Sequence, residues 1–350
     1  MNSEVLVLYT GGTLGMLPSA AGLVPGGDIE ARLYCALKNL PATRQQQLPK
    51  FTLLTVTKPI DSSSATPRDW QLLADTVAQH ISHYAGIVIL HGTDTLAWTA
   101  SSLAYQLQGL DRPVIVTGAM LPLEAPNSDA LDNVEFALRC AAMPQLREVA
   151  VAFCGQLLRG VRTCKMHSEA ANAFTSPNYP RLGQRSGDNI TLFSDHLLRP
   201  PEIISPHFEL ADYSIPGNVV RLALWPGIQA WQLDAWLNDT RVCGALIDVW
   251  GAGNLPADPA LLEVLHKASS GGKLLAAISQ CPAGGIVPGQ YAASQGLSQA
   301  GVLSGADMTP AAALTKLIHL LALPLEQEER RRRFATPFVG ECAIISPLAH

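Results

Sequence analysis

Residues Gly86 to Thr117 read GIVILHGTDTLAWTASSLAYQLQGLDRPVIVT, and the fold is decided there. The apolar run Gly86–Leu90 reads as a strand buried on both faces. A polar turn, His91 to Thr95, leads into a helical pattern over Thr95–Leu107, and a second apolar run follows over Pro113–Thr117. Strand, helix, strand at this spacing predicts a parallel crossover unit. Working outward, the same alternation extends to strands at Val5–Leu8, Phe51–Val56 and Val149–Phe153, with helices at Ile29–Leu40, Pro67–Tyr84 and Asn127–Ala142. Thr66 before Pro67 is an N-cap followed by a proline at N1. The fold class is therefore α/β, with a parallel sheet covered on both faces and ligands expected at the carboxyl ends of its strands.

The alternation lapses between Ser194 and Gly217, where Pro200, Pro201, Pro206 and Pro216 accumulate, and this stretch reads as an interdomain linker. It resumes with strands at Val219–Leu224, Gly244–Val249 and Lys273–Ile278 and helices at Ile228–Asn238, Asp258–Ser269 and Thr309–Ala322. A larger N-terminal α/β domain over 1–193, a linker over 194–217 and a smaller C-terminal α/β domain over 218–350 follow. At 350 residues the chain is long enough for two cores. The sequence after Pro324 yields no assignment.

Composition narrows the function. A formal charge of -5 offers no cationic face for nucleic acid, and the one dense basic run, Arg330 to Arg333, follows Glu326, Glu328 and Glu329, the pattern of a solvated helix face. Seven cysteines without metal-ligand spacing predict reduced thiols in a cytoplasmic protein. No apolar run approaches the roughly 18 residues of a membrane span, and Glu4 replaces the cationic start of a signal peptide.

Chemistry gathers after the strands. YTGGTLGM, Tyr9 to Met16, follows the first, where Gly11 and Gly12 permit close backbone approach to a ligand. It matches no phosphate-binding pattern. HGTDT, His91 to Thr95, follows the third strand; Thr93 or Asp94 is either a helix N-cap or a reactive hydroxyl and its carboxylate partner. A threonine hydroxyl needs a base or cation to attack anything, and Lys165, in LRGVRTCK beyond the fifth strand, is the candidate, with Asp94 as relay. DSSS, Asp61 to Ser64, offers hydroxyls and N–H groups for a small carboxylate. TGAMLP, Thr117 to Pro122, either lines the same crevice or turns the chain.

Together these segments, with RTCK at Arg162, WGAGN at Trp250 and SGADMT at Ser304, give a sequence that resembles the bacterial-type asparaginases and glutaminases, and among them the cytosolic type I asparaginases, over nearly its whole length. The resemblance implies two α/β domains with the site at the carboxyl end of the larger sheet, completed by a neighbouring subunit in a homodimer or homotetramer. It implies that Thr13 attacks a small amino-acid amide, L-asparagine first among them, to form an acyl-enzyme. Thr93, Asp94 and Lys165 correspond to the triad that activates a hydroxyl or water. Gly12 and Thr93 supply oxyanion-hole N–H groups, Ser62 holds the substrate's α-carboxylate, Asp94 receives its α-ammonium, and Ser63 and Ala119 line the pocket. Asn254 arrives across a subunit interface. The resemblance implies no metal or cofactor.

Three positions depart from the family pattern. The flap after TGGT has Leu23 where a tyrosine is usual, and His319 lies near the place where some relatives bring a tyrosine from a late helix; a core or interface histidine is the other reading. Ser64 replaces a carboxylate. Asp248 stands where an allosteric arginine is found, although Cys281 is retained.

Overall fold

A computed structural model describes residues 4–56, 59–199, 206–214, 217–286 and 292–343. The chain divides into two compact units at Leu210/Ala211. The first unit opens with strand β1 (Val5–Tyr9), a hairpin of β2 (Met16–Ser19) and β3 (Gly22–Pro25), helices α1 (Ile29–Lys38) and α2 (Ala42–Gln45), and strand β4 (Phe51–Thr55). It continues through α3 (Pro67–His80), β5 (Gly86–Leu90), α4 (Leu96–Gln106), β6 (Val114–Thr117), α5 (Ala130–Ala141) and β7 (Val149–Phe153). The short strands β8 (Gln156–Arg159), β9 (Cys164–Lys165), β10 (Phe174–Thr175), β11 (Gly183–Ser186) and β12 (Asn189–Leu192) complete it.

Eight of these strands form one sheet in the order β12-β11-β8-β7-β6-β5-β1-β4. From β4 to β7 every pairing is parallel, whereas β8, β11 and β12 join antiparallel. The sheet is thus mixed, not wholly parallel as the alternation predicts. The cause is local: Cys154 and Gly155 both take positive φ, 47° and 68°, the two-residue turn that sends a strand straight back on its neighbour. The parallel strands β1, β5, β6 and β7 are fully buried, as continuous apolar runs require. One face packs against α1 and α5 through Leu33, Leu37, Val134 and Phe136.

The chain passes from β1 outward to β4, then returns to β5 on the other side of β1. This reversal makes the β1–β5 boundary the topological switch point, whose carboxyl end is the natural ligand crevice. The loops bearing Thr13 and Thr93 leave the sheet there.

Helix α5 starts three residues later than its apolar pattern suggests, because Asn127 sits at φ 58° and Asp129 turns its carboxylate back to the loop after β6. Helix α3 begins as the sequence indicates: Asp69 accepts from the Thr66 N–H and hydroxyl at 2.8 and 2.7 Å.

The proline-rich stretch 194–217 is described only in part, since 200–205 and 215–216 lie outside the described residues. Its His207 and Glu209 N–H groups donate to Gln108 and Gln106 carbonyls of the first unit.

The second unit holds β13 (Asn218–Ala223), α6 (Ala230–Leu237), β14 (Val242–Val249), α7 (Pro259–Ser270), β15 (Leu274–Ser279), α8 (Ala292–Gln299), β16 (Leu303–Ser304), α9 (Pro310–Ala322) and α10 (Gln327–Ala335). Its four strands are parallel in the order β13-β14-β15-β16. The basic run belongs to α10 and is not a solvated face. Arg330 donates to the Leu320 and Leu323 carbonyls at the end of α9, Arg331 donates to Gly301, and Arg333 lies over the Phe338 ring. Only Arg332 is exposed, paired with Glu329.

Candidate active site

At the switch point the β1 loop is built from glycine because it must be. Gly12 has φ 92°, and a Cβ there would lie 2.5 Å from the backbone nitrogen of Gly92 in the β5 loop. A Cβ on Gly92 would in turn strike the Ser62 hydroxyl, in the 3-10 turn Ser62–Ser64 beyond β4. Three loops from three adjacent strands are therefore closely packed, the β1 loop against the Gly92 backbone and the Gly92 backbone against the Ser62 side chain, which leaves no room for a side chain at Gly12 or Gly92. Ser62 is buried, and its carbonyl accepts from the Thr95 hydroxyl at 2.7 Å.

Thr95, not Thr93 or Asp94, is the N-cap residue of α4. That leaves the other two for a different contact. Lys165 Nζ donates to Thr93 Oγ1 at 2.9 Å and to Asp94 Oδ1 at 2.7 Å. Thr93 is buried, the Lys165 side chain is 19% exposed and Asp94 is 62% exposed, so the trio runs from the interior to the mouth of the crevice. Lys165 is held on β9 by pairing with Phe174 on β10. The arm leading to it is anchored by Arg159, which is buried, bonds Glu148 and stacks over Tyr179.

Of the two threonines in YTGGT, Thr10 is spent: it is buried and its hydroxyl donates to Leu90 O at 2.9 Å. Thr13 is half-buried at the start of the 3-10 turn Thr13–Gly15. Ala119 is buried in the loop after β6, next to Gly118, where a Cβ would strike the His91 carbonyl and touch the Thr93 methyl.

Sequence reasoning misses the residues that brace these loops. His91 is fully buried; its Nδ1 lies 2.7 Å from the Gly92 carbonyl and its Nε2 3.1 Å from the Thr99 hydroxyl. A carbonyl only accepts, so Nδ1 carries the proton and Nε2 accepts from Thr99. Burial pushes the imidazole pKa down from its ordinary value and keeps the ring neutral. Asp129 accepts from the Met120 and Leu121 N–H groups and from Asn133, which also donates to Gly118 O. Its position four residues before Asn133 is the only sequence trace of this arrangement.

The remaining expected positions have these surroundings. Ser63 and Ser64 are exposed, as is Leu23 on the β2–β3 hairpin. Asn254 belongs to the second unit, in a turn closed by reciprocal backbone bonds with Trp250. His319 is fully buried in that unit, 3.3 Å from the Tyr213 hydroxyl, and takes the core reading. Asp248 is paired bidentately with Arg221 on the neighbouring strand, and Cys281 is exposed. Among the described residues no group of three or more His, Cys, Asp or Glu is placed to hold a metal, and no helix is long and apolar enough to cross a membrane.

The chain has counterparts among known proteins. The Asparaginase, N-terminal family matches residues 4–198, and the Glutaminase/Asparaginase C-terminal domain matches residues 218–334. The chain belongs to the asparaginase family. It is 38% identical over 341 residues to L-asparaginase 1 of Escherichia coli strain K12, covering 97% of both chains. The crystal structure of L-asparaginase I from Vibrio cholerae superposes with a TM-score of 0.87 at 35% identity, over 98% of this chain and all of that one. The thermostable L-asparaginase from Thermococcus kodakarensis gives 0.85 at 32%, over 97% and 99%. The two-domain asparaginase fold is thus shared over the full length of this family member.

Proposed function

We propose that this asparaginase-family chain hydrolyses L-asparagine to L-aspartate and ammonia through an ester on Thr13. The observation that carries the reading is the Lys165 ammonium bonded to both Thr93 and Asp94 at the carboxyl end of β5. The Thr13 hydroxyl attacks the side-chain amide carbon, and the backbone N–H groups of Gly12 and Thr93 hold the oxygen that becomes negative. The proton that the Thr13 hydroxyl gives up passes to the amide nitrogen, the C–N bond breaks, and ammonia leaves. Water, relieved of its proton by the Thr93, Lys165 and Asp94 chain, then cleaves the ester and frees aspartate and Thr13. Ser62 receives the α-carboxylate and Asp94 the α-ammonium, with Ser63 and Ala119 lining the pocket.

The catalytic region falls within residues 1–193, joined through 194–217 to a C-terminal region over 218–350. The working form is a homodimer or homotetramer in which Asn254 reaches the site from a neighbouring copy. Seven cysteines, three of them exposed and none in a disulfide, suit the cytoplasm as its compartment.

Ammonia release measured across L-asparagine, L-glutamine and their D-forms tests the reading, with kcat/KM highest for L-asparagine. Thr13→Ala and Thr93→Ala should each lower kcat by on the order of a thousandfold or more with the fold intact. Release from none of the amides, or near-normal turnover by either variant, overturns it.

A further inference from the structure

The β2–β3 hairpin that follows Thr13 carries no group able to move a proton: its residues are Met16, Leu17, Pro18, Ser19, Ala20, Ala21, Gly22, Leu23, Val24 and Pro25, and the one hydroxyl, Ser19, is spent on the hairpin's own turn. What the hairpin does have is an unusual fastening at its base. The carbonyl of Gly15, two residues after Thr13, accepts from Gly26 N at 3.1 Å, closing the hairpin, and from Arg32 Nη1 at 2.9 Å. The same nitrogen lies 3.4 Å from Gly27 O at the hairpin's exit. The opposite edge of the guanidinium, Nε and Nη2, grips both oxygens of Glu124 at 2.6 Å each.

Glu124 stands in the loop after β6 that also carries Ala119, and one residue earlier Leu123 N donates to Leu14 O at 3.0 Å. One planar cation thus joins helix α1, both ends of the hairpin and the Ala119 loop, beginning two residues after Thr13. The geometry is specific to arginine, since an ammonium cannot present two parallel donors to a carboxylate and a third to a carbonyl on the opposite edge. Gly26 is bound into the same packing: a Cβ there would lie 2.6 Å from Arg32 Nη1. Arg32 is 16% exposed on its side chain, so the pair is partly shielded from water. It holds the Glu124 carboxyl below its usual range, the hydrogen bond being the main cause.

We propose that Arg32, fixed by Glu124, is a positioning residue that latches the base of the Met16–Pro25 hairpin and so sets Thr13 for attack on the substrate amide. The proposal rests on Thr13 being the nucleophile. In a chain whose hairpin lacks a proton-transferring side chain, placement of the Thr13 backbone carries more of the first step. Arg32 touches neither substrate nor reacting atoms; it acts through Leu14 and Gly15.

Two variants and two readouts test it on the full-length protein. Arg32→Lys keeps the charge and loses the fork; Glu124→Gln keeps the shape and loses the anion. Arg32→Lys should lower kcat for L-asparagine by about tenfold or more while KM moves by less than about threefold, the signature of lost alignment rather than lost binding. Glu124→Gln should lower kcat in the same sense, and the double variant should be no worse than Arg32→Lys alone, because both break one latch. Independently of turnover, amide hydrogen exchange should rise over residues 15–27 in either variant while the β1 amides, Val5–Tyr9, stay protected. Should Arg32→Lys fail to fold, Glu124→Gln carries both readouts. Unchanged kcat in an active protein, or unchanged exchange over 15–27, overturns the latch. A wild-type protein that releases no ammonia refutes the Thr13 reading instead, and hydrogen exchange still decides the latch.

Discussion

A hydrogen atom in place of a methyl decides the geometry of this site. Gly12 holds φ 92° and ψ 173° against the backbone of Gly92, a region essentially reserved for glycine, where an L side chain costs on the order of 1–3 kcal/mol before any clash. Gly12→Ala should therefore separate the β1 and β5 loops and lower kcat by at least about tenfold, measured by ammonia release, with the loss exceeding any change in thermal stability. His91 makes the second prediction at this scale. Burial depresses its folded pKa below the ordinary value of about 6.5, so as pH falls the unfolded chain takes up the proton first. Its contribution is complete above that ordinary value and is lost as pH drops through the folded one. Urea midpoints at pH 7.5 and 5.5 should fall further in wild type than in His91→Asn. The Thr93, Asp94 and Lys165 contact was legible because short polar motifs follow apolar runs. The braces were not: Arg32 meets Glu124 across 92 positions, and no pattern of period 2 or 3.6 spans that distance.

Between elements, the loop after β6 shows how a helix start fixes a neighbouring loop. Asp129, just before α5, accepts from Met120 N at 3.0 Å and Leu121 N at 3.1 Å, and Asn133 one turn on ties the same loop through Gly118 O. Charge-assisted bonds of this kind are each worth about 1.5–3 kcal/mol. Asp129→Ala should cost about 2 kcal/mol in denaturant unfolding and, with Ala119 lining the pocket as proposed, raise KM for L-asparagine more than it lowers kcat. An unchanged KM would detach Asp129 from the pocket. Most elements were readable to within a few residues, since buried strands and amphipathic helices carry their own periodicity. The antiparallel edge was not, because it depends on left-handed backbone at Cys154, a residue that signals no turn.

For the molecule as a whole, two units with separate cores were readable from the recurrence of strand and helix, but the closing of the second unit was not. There Lys316 on α9 is fully buried and donates to the Phe334 and Thr336 carbonyls at 2.9 Å each and to Glu341 at 2.5 Å, under the ring of Phe338. Glu341 also accepts from Val339 N at 3.0 Å. In a run of alanine and leucine, Lys316 looks like a misplaced surface residue until the chain 25 positions on supplies its anion. Desolvation lowers the lysine pKa and Glu341 opposes that fall, so the ammonium survives only with its partner in place. Lys316→Met should therefore leave Glu341 buried without a cation and cost about 3–5 kcal/mol, whereas Lys316→Met with Glu341→Gln should cost less than the single change. The loss should fall on amides of β14 and β15 in hydrogen exchange and leave β1 and β5 protected. Equal loss of protection in β5 would show that the pair stabilises more than the unit it closes.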